Sequence, residues 1–191
     1  MTNQKLVLGD SSDASIIKEL IASGDIKIGS VHSFEHFRDG KLIDSWSEHN
    51  LCTDEGLTHM LDVVFSGGTA IGTWYVIVFE DNFTPVAGST YASPGFTEST
   101  AYTEANRQAW VEAGVAAKSI TNSASKATLS INATKTIYGS ALVGGGSAAS
   151  TKDDQAGGGT LFNVVRFTSG SKSVENGDTL KVTITLTASD I

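Results

Sequence analysis

The sequence predicts a mainly β fold of the α+β class: an antiparallel β-sandwich or barrel-like domain with one packed helix at about residues 54–65 and an N-terminal arm bearing a short helix. Three patterns carry that reading. Residues 126–134 and 180–187 alternate apolar and polar side chains at period two, as strands with one dry and one wet face do. Arg38-Asp39-Gly40-Lys41 separates two strand-like runs and reads as a hairpin turn. Between about 54 and 65 the apolar residues instead recur at helical spacing.

Taken in order, residues 1–24 form the arm and residues 25–191 a single β-rich domain. In the arm a short helix is predicted at about 13–22, where Ile16, Ile17, Leu20 and Ile21 share one face and Gly24 supplies a stop. Alone, a helix of about ten residues is marginal in water, so its stripe must dock on its own domain or on a neighbouring subunit. Phe34-Glu35-His36-Phe37 and Leu42-Ile43-Asp44-Ser45-Trp46 are the arms of the hairpin. A two-residue Asp-Gly loop sets Glu35 against Asp44 and Arg38 against Lys41. A three-residue loop with Gly40 left-handed avoids both clashes, places His36 across from Leu42, and is the register expected.

Leu57, Met60, Leu61 and Val64 define the apolar face of the main helix, with Thr53 or Asp54 as its cap and Ser66-Gly67-Gly68 as its stop. Trp74 to Phe79 is apolar at every position, as expected of a strand covered on both faces. Residues 81–99 lack periodicity and form a long connection, in which Tyr91 and Phe96 are candidate partner contacts because large side chains in a loop need burial. Residues 100–117 fit either a short helix or an extended segment. Further strands are expected at 136–143 and 161–167, joined by a flexible polar loop from Gly144 to Gly159.

Composition narrows the function. With 13 Lys+Arg against 21 Asp+Glu the net charge is −8, which disfavours nucleic acid or anionic lipid as partner. No apolar run reaches the roughly 20 residues of a membrane span, and Met1-Thr2-Asn3-Gln4-Lys5 lacks a signal-peptide h-region, so a soluble protein made in a cytoplasm is expected. Cys52 is the single cysteine, so no intrachain disulfide framework exists.

No catalytic, cofactor or metal site is nominated. His32 and His36 share a strand face but Glu35 points to the other, so the three do not converge on a metal, and ordinary half-buried or exposed histidines are expected. Ser123-Ala124-Ser125-Lys126 and Ser169-Gly170-Ser171-Lys172 match Ser-x-x-Lys without the companion motifs of acyl-enzymes. The glycine clusters at 144–146 and 157–159 lack the Lys-Ser/Thr of a phosphate cradle, and Asp153-Asp154 lacks the spaced oxygens of a calcium loop.

One stretch carries a family likeness. Asn50-Leu51-Cys52-Thr53-Asp54-Glu55-Gly56-Leu57, leading through glycines into Gly72-Thr73-Trp74-Tyr75, resembles virion structural proteins of tailed bacteriophages. Phe37 to Lys41 and Ser123 to Ile137 are similar to the same group. The resemblance implies a non-enzymatic, oligomeric virion component assembled in the host bacterial cytoplasm, with the major capsid protein or other virion proteins as partners. Capsid decoration (cement) is its first implication. A tail or head-to-tail connector protein, or a receptor- or glycan-binding module on the virion surface, are the alternatives.

Overall fold

The computed structural model describes residues 26–190, and the arm with Ile16, Ile17, Leu20 and Ile21 lies outside them. Twelve strands are assigned there: β1 (Ile26–Arg38), β2 (Lys41–His49), β3 (Leu51–Cys52), β4 (Trp74–Phe79), β5 (Gln108–Trp110), β6 (Ser119–Thr121), β7 (Ala127–Ser130), β8 (Lys135–Ile137), β9 (Gly139–Gly144), β10 (Thr160–Arg166), β11 (Lys172–Val174) and β12 (Thr179–Asp190). The first sheet runs β2-β1-β12-β6, with β7 also paired to β12; the second runs β3-β10-β9-β4-β5; β8 and β11 form a small ribbon. All pairings are antiparallel. Inward side chains of both sheets, Phe34, Leu180, Val182 and Ile184 from one and Val76, Val78, Leu142 and Phe162 from the other, fill a shared core. This is the antiparallel β-sandwich of an α+β chain. No helix among the described residues is long and apolar enough to cross a membrane.

Strand β12 carries two neighbours on one edge, and a side chain closes the gap between them. It pairs with β7 over Thr179–Val182 and with β6 over Thr185–Thr187. Between these stretches Asn122 donates from Nδ2 to the Val182 carbonyl at 3.1 Å and accepts the Ile184 amide on Oδ1 at 2.7 Å. An amide side chain thus substitutes for a missing strand residue, leaving no buried backbone group orphaned there.

The hairpin differs from the expected register. Asp39 (φ 49°) and Gly40 (φ 73°) are both left-handed, so the loop has two residues, the arrangement that matches strand twist. The register shift between His36 and Phe37 pairs Phe37 with Leu42 but His36 with Asp44, leaving Ile43 as an extra residue on β2. Glu35 then faces Ser45, not Asp44. Arg38 does sit opposite Lys41, but its guanidinium binds Asp178 (2.8 Å) and Glu175 (3.1 Å) instead. A bulge, not a longer loop, removes the Glu35–Asp44 clash, and ion pairing to Asp178 and Glu175 offsets the other.

The helix starts as its sequence predicts, yet is rotated about its axis. Thr53 is the N-cap of α1 (Asp54–Leu61), accepting the Gly56 amide at 3.0 Å, and a π-helical turn (Asp62–Ser66) ends at left-handed Gly67. Glu55 accepts the amides of Leu161 (2.6 Å) and Tyr91 (2.9 Å), and Thr53 Oγ1 donates to the Leu161 carbonyl. These bonds turn Gly56 onto β10, where it is the buried residue of the helix. Met60 packs against the core, and the His59 ring meets that of Trp74 edge-on at 5.8 Å. The expected inner face is therefore split: Leu61 is 53% and Val64 63% exposed.

Strand β4 is covered on both sides, as its unbroken apolar run requires. Val76 and Val78 face the sandwich core, while Ile77 and Phe79 join Ala141, Val143, Leu161 and Val164 in a second core on the outer face of the second sheet. The cover is not a helix but two loops. Residues 80–107 fold back along β4, the Glu80 amide donating to the Thr97 carbonyl (3.0 Å) and the Ser99 amide to Val78 (2.8 Å). The segment 100–117 is extended, pairing Tyr102 with Ile131 before entering β5. The Gly144–Gly159 loop, expected to be flexible, is internally tied: Ser147 donates to the Gly157 carbonyl and Thr151 to Ala148, both at 2.8 Å.

Gly56 shows how closely α1 approaches the sheet: a Cβ there would lie 2.4 Å from the Phe162 carbonyl oxygen. Gly56→Ala is expected to lower unfolding free energy by about 1–3 kcal/mol in urea denaturation, through overpacking against backbone that cannot yield. Gly88→Ala, where a Cβ meets nothing within 4 Å, is expected to stay within about 0.5 kcal/mol of the parent.

Candidate functional site

Period-two geometry sends His32 and His36 of β1 inward and Glu35 outward, where Glu35 meets Lys126 at 2.8 Å. The histidines are fully buried rather than half-buried or exposed. His32 bridges the sheets: Nδ1 lies 2.6 Å from Ser140 Oγ on β9, and Nε2 lies 3.0 Å from Asn163 Oδ1 on β10. Asn163 in turn donates to Ser30 Oγ at 3.0 Å. With Asn163 so oriented, Nε2 carries the proton and Nδ1 accepts from Ser140. Burial, only partly opposed by the Asn163 bond, pushes this imidazole down to about 3, so it is neutral at pH 7.

His36 is bound instead to Asp178, at 2.7 Å. Asp178 also accepts Arg38 Nε (2.8 Å), Arg38 Nη2 (2.9 Å) and the Glu175 amide (2.7 Å). The Arg38 guanidinium above all holds this carboxyl well below the usual carboxylate range, against the opposing effect of burial. The arrangement fastens the hairpin to the turn before β12, and no group of three or more potential ligands converges on a metal site among the described residues.

The two Ser-x-x-Lys matches are pulled apart by ion pairs. Lys172 reaches Asp44 at 2.9 Å and lies 4.5 Å from the Trp46 ring centre, while Ser169 Oγ donates to Glu48 at 2.8 Å. Lys126 is the partner of Glu35. Asp154 accepts the Tyr91 hydroxyl (2.7 Å) and the Gly157 amide (3.1 Å) through one carboxylate oxygen, making it a loop brace.

Tyr91 and Phe96, expected as partner contacts, are 3% and 7% exposed and belong to the second core. The loop folds onto its own sheet and so meets their need for burial internally. Phe96 stacks on Phe79 at 4.4 Å. Tyr91 lies beside a buried ion pair that no local pattern announces: Arg107 Nη2 and Glu98 Oε2 are 2.6 Å apart, and each side chain is 3% exposed. All five guanidinium donors are used, since Nε also reaches Glu98, Nη1 reaches Tyr91 Oη (2.8 Å) and the Ala149 carbonyl (3.1 Å), and Nη2 reaches the Asp154 carbonyl (2.9 Å). Burial, with the bond to Asp154, pushes the Tyr91 phenol up to about 12.

That ion pair holds from behind one wall of an open cleft of about 640 Å³. The floor carries Tyr75 of β4 and Thr160 of β10, one wall is residues 69–73, and the other is the turn 145–150. Arg107 secures the turn by donating its amide to the Ser150 carbonyl at 2.8 Å and its Nη1 to Ala149. Gly145 and Gly146 are left-handed (φ 73° and 65°), and a Cβ on Gly146 would meet the Gly157 oxygen at 2.2 Å. At Gly146 the wall is bare backbone, because a side chain there would collide with the 157–159 backbone.

Two apolar features project elsewhere. Leu61, Val64 and Phe65 form a ridge on the helix and π turn, Phe65 being 79% exposed. Residues 111–118 are exposed at every position, with Val115 at 75%. Neither feature was legible as a surface from sequence: tertiary contacts select which helix face is left outside, and the 111–118 segment carries no period that marks an exposed side. No protein-family model matches the chain, and no curated protein sequence matches it significantly.

Two measurements test the buried groups. His32 has a folded pKa below its unfolded value near 6.5, so the unfolded chain binds more protons between pH 6.5 and about 3. Its stabilising contribution is complete above 6.5 and lost as pH falls, by about 2–3 kcal/mol at pH 4.5. Urea denaturation across that window should show this slope, and His32→Gln should flatten it. Arg107→Met is expected to cost about 3–5 kcal/mol in the same assay at pH 7 by stranding Glu98, with part of the loss recovered in the double variant Glu98→Met/Arg107→Met.

Proposed function

We propose that this chain is a non-enzymatic structural protein of a tailed-phage particle, a decoration protein that stabilises the head by gripping neighbouring capsid subunits. The observation that carries the reading is the Leu61, Val64 and Phe65 ridge. It lies within the segment whose sequence resembles virion proteins. Three large apolar side chains side by side in water are costly to a monomer and useful to a partner. The residues around them have rigid tasks: Thr53 caps the helix, Glu55 clamps it to β10, and Gly56 brings it against the sheet. A firmly seated helix presents its outer face at a fixed angle, which limits the ordering cost of docking.

The acidic surface suits a protein carried on the outside of a shell, where nucleic acid is not the ligand. A contact of modest strength becomes effective when the chain is held at many equivalent positions or as an oligomer, since later contacts form at high local concentration.

Purified protein mixed with capsids lacking it is expected to bind and to raise their disruption temperature. Phe65→Glu should weaken binding at least about tenfold while leaving the melting temperature of the free protein nearly unchanged, because the ring is exposed. Finding the wild-type chain only as free protein in infected lysate, absent from purified particles, would overturn the reading.

A further inference from the structure

We propose that the cleft between residues 69–73 and the 145–150 turn binds a neutral, hydroxyl-rich ligand, a short saccharide chain. The chemistry of the lining selects that class. Six of the residues that line the space carry a hydroxyl group, Thr69, Thr73, Tyr75, Ser147, Ser150 and Thr160, and a seventh, His59, carries an imidazole. No carboxylate, ammonium or guanidinium group lines it. In a chain of which 18% is Asp, Glu, Lys or Arg, this is a locally uncharged surface.

Each alternative ligand class lacks something it needs. A phosphate or nucleotide is most strongly held by Lys or Arg, and neither lines the cleft. A divalent metal needs converging carboxylates or imidazoles, and one histidine does not suffice. A purely apolar ligand would strand hydroxyl groups against it. A saccharide satisfies the set, because its hydroxyls donate and accept as the Ser and Thr hydroxyls do, and its C–H face packs on an aromatic ring such as that of Tyr75.

Size and rigidity agree with this assignment. A volume of about 640 Å³ lies within the range of small-molecule sites. The floor is sheet, and the glycine wall is tied to the buried Arg107 at Ala149 and Ser150, so the polar groups are held before a ligand arrives. His59 is itself seated by an edge-on contact with Trp74, their ring centres 5.8 Å apart. The inference rests on this cleft and not on capsid decoration, since the cleft is lined by none of the three ridge residues.

The test is titration of the isotopically labelled protein with neutral trisaccharides of glucose, galactose and N-acetylglucosamine, read as amide shifts. Shifts are expected at Thr73, Gly145 and Gly146 with at least one of them. Sialylated and sulfated counterparts should bind at least about tenfold more weakly. Thr73→Arg fills the cleft from an exposed position and is expected to weaken binding at least about tenfold without altering the melting temperature or capsid binding. Absence of shifts at millimolar concentration with every neutral probe, shifts indifferent to Thr73→Arg, or preference for the anionic sugars would each overturn the proposal. Phe65→Glu supplies the converse control, since it should affect capsid binding and leave sugar binding intact.

Discussion

The second sheet is apolar on both faces, and that constraint organises everything outside the sandwich. Strand β4 presents Val76 and Val78 to one core and Ile77 and Phe79 to the other, so water must be excluded from two sides. The first sheet covers one. On the other side the cover among the described residues is made by loops, whose polar backbone must be satisfied internally once it is removed from water. Arg107 meets much of that need: its five donors reach Glu98, Tyr91 and the carbonyls of Ala149 and Asp154, joining two loops distant in sequence. The glycine turn that walls the cleft is a by-product of this clasp.

Polar groups recur inside the sandwich as well, and they have a common logic. His32, Ser140, Asn163 and Ser30 form a chain of hydrogen bonds between the two inner faces. Apolar packing alone is tolerant of small slips in how two sheets lie on one another, whereas directional bonds are satisfied in one alignment. Trp110 reinforces the same alignment at the margin, its indole donating to the Ile184 carbonyl across the sandwich at 3.0 Å. Such groups contribute little net stability but penalise every other arrangement.

Outside these cores the surface separates two kinds of chemistry on neighbouring ground. The helix and π turn expose an apolar ridge, and the 69–73 segment that follows forms one wall of an uncharged, hydroxyl-lined cleft. His59 lies at the junction, lining both the polar cleft and the apolar groove beneath Val64. The two proposed uses, adhesion to a shell and recognition of a sugar, are compatible on one scaffold, because neither requires the scaffold to move.

What the sequence determined by itself was local: the alternation at 126–134 and 180–187, the two-faced burial of β4, the presence of a hairpin turn between Phe37 and Leu42, the cap of α1 at Thr53, and the stop after the π turn at Gly67. Each is written in the spacing or backbone preference of adjacent residues. Tertiary structure alone decided which face of α1 is buried, since Glu55 and Gly56 answer to β10, about a hundred residues later in the chain. It also decided that a bulge and not a longer loop removes the Glu35–Asp44 clash, that Tyr91 and Phe96 fold inward, and that Arg107 finds Glu98. Those outcomes depend on how the folded segments lie on one another, and no period or local propensity encodes where a carboxylate, a carbonyl or an aromatic ring will come to rest.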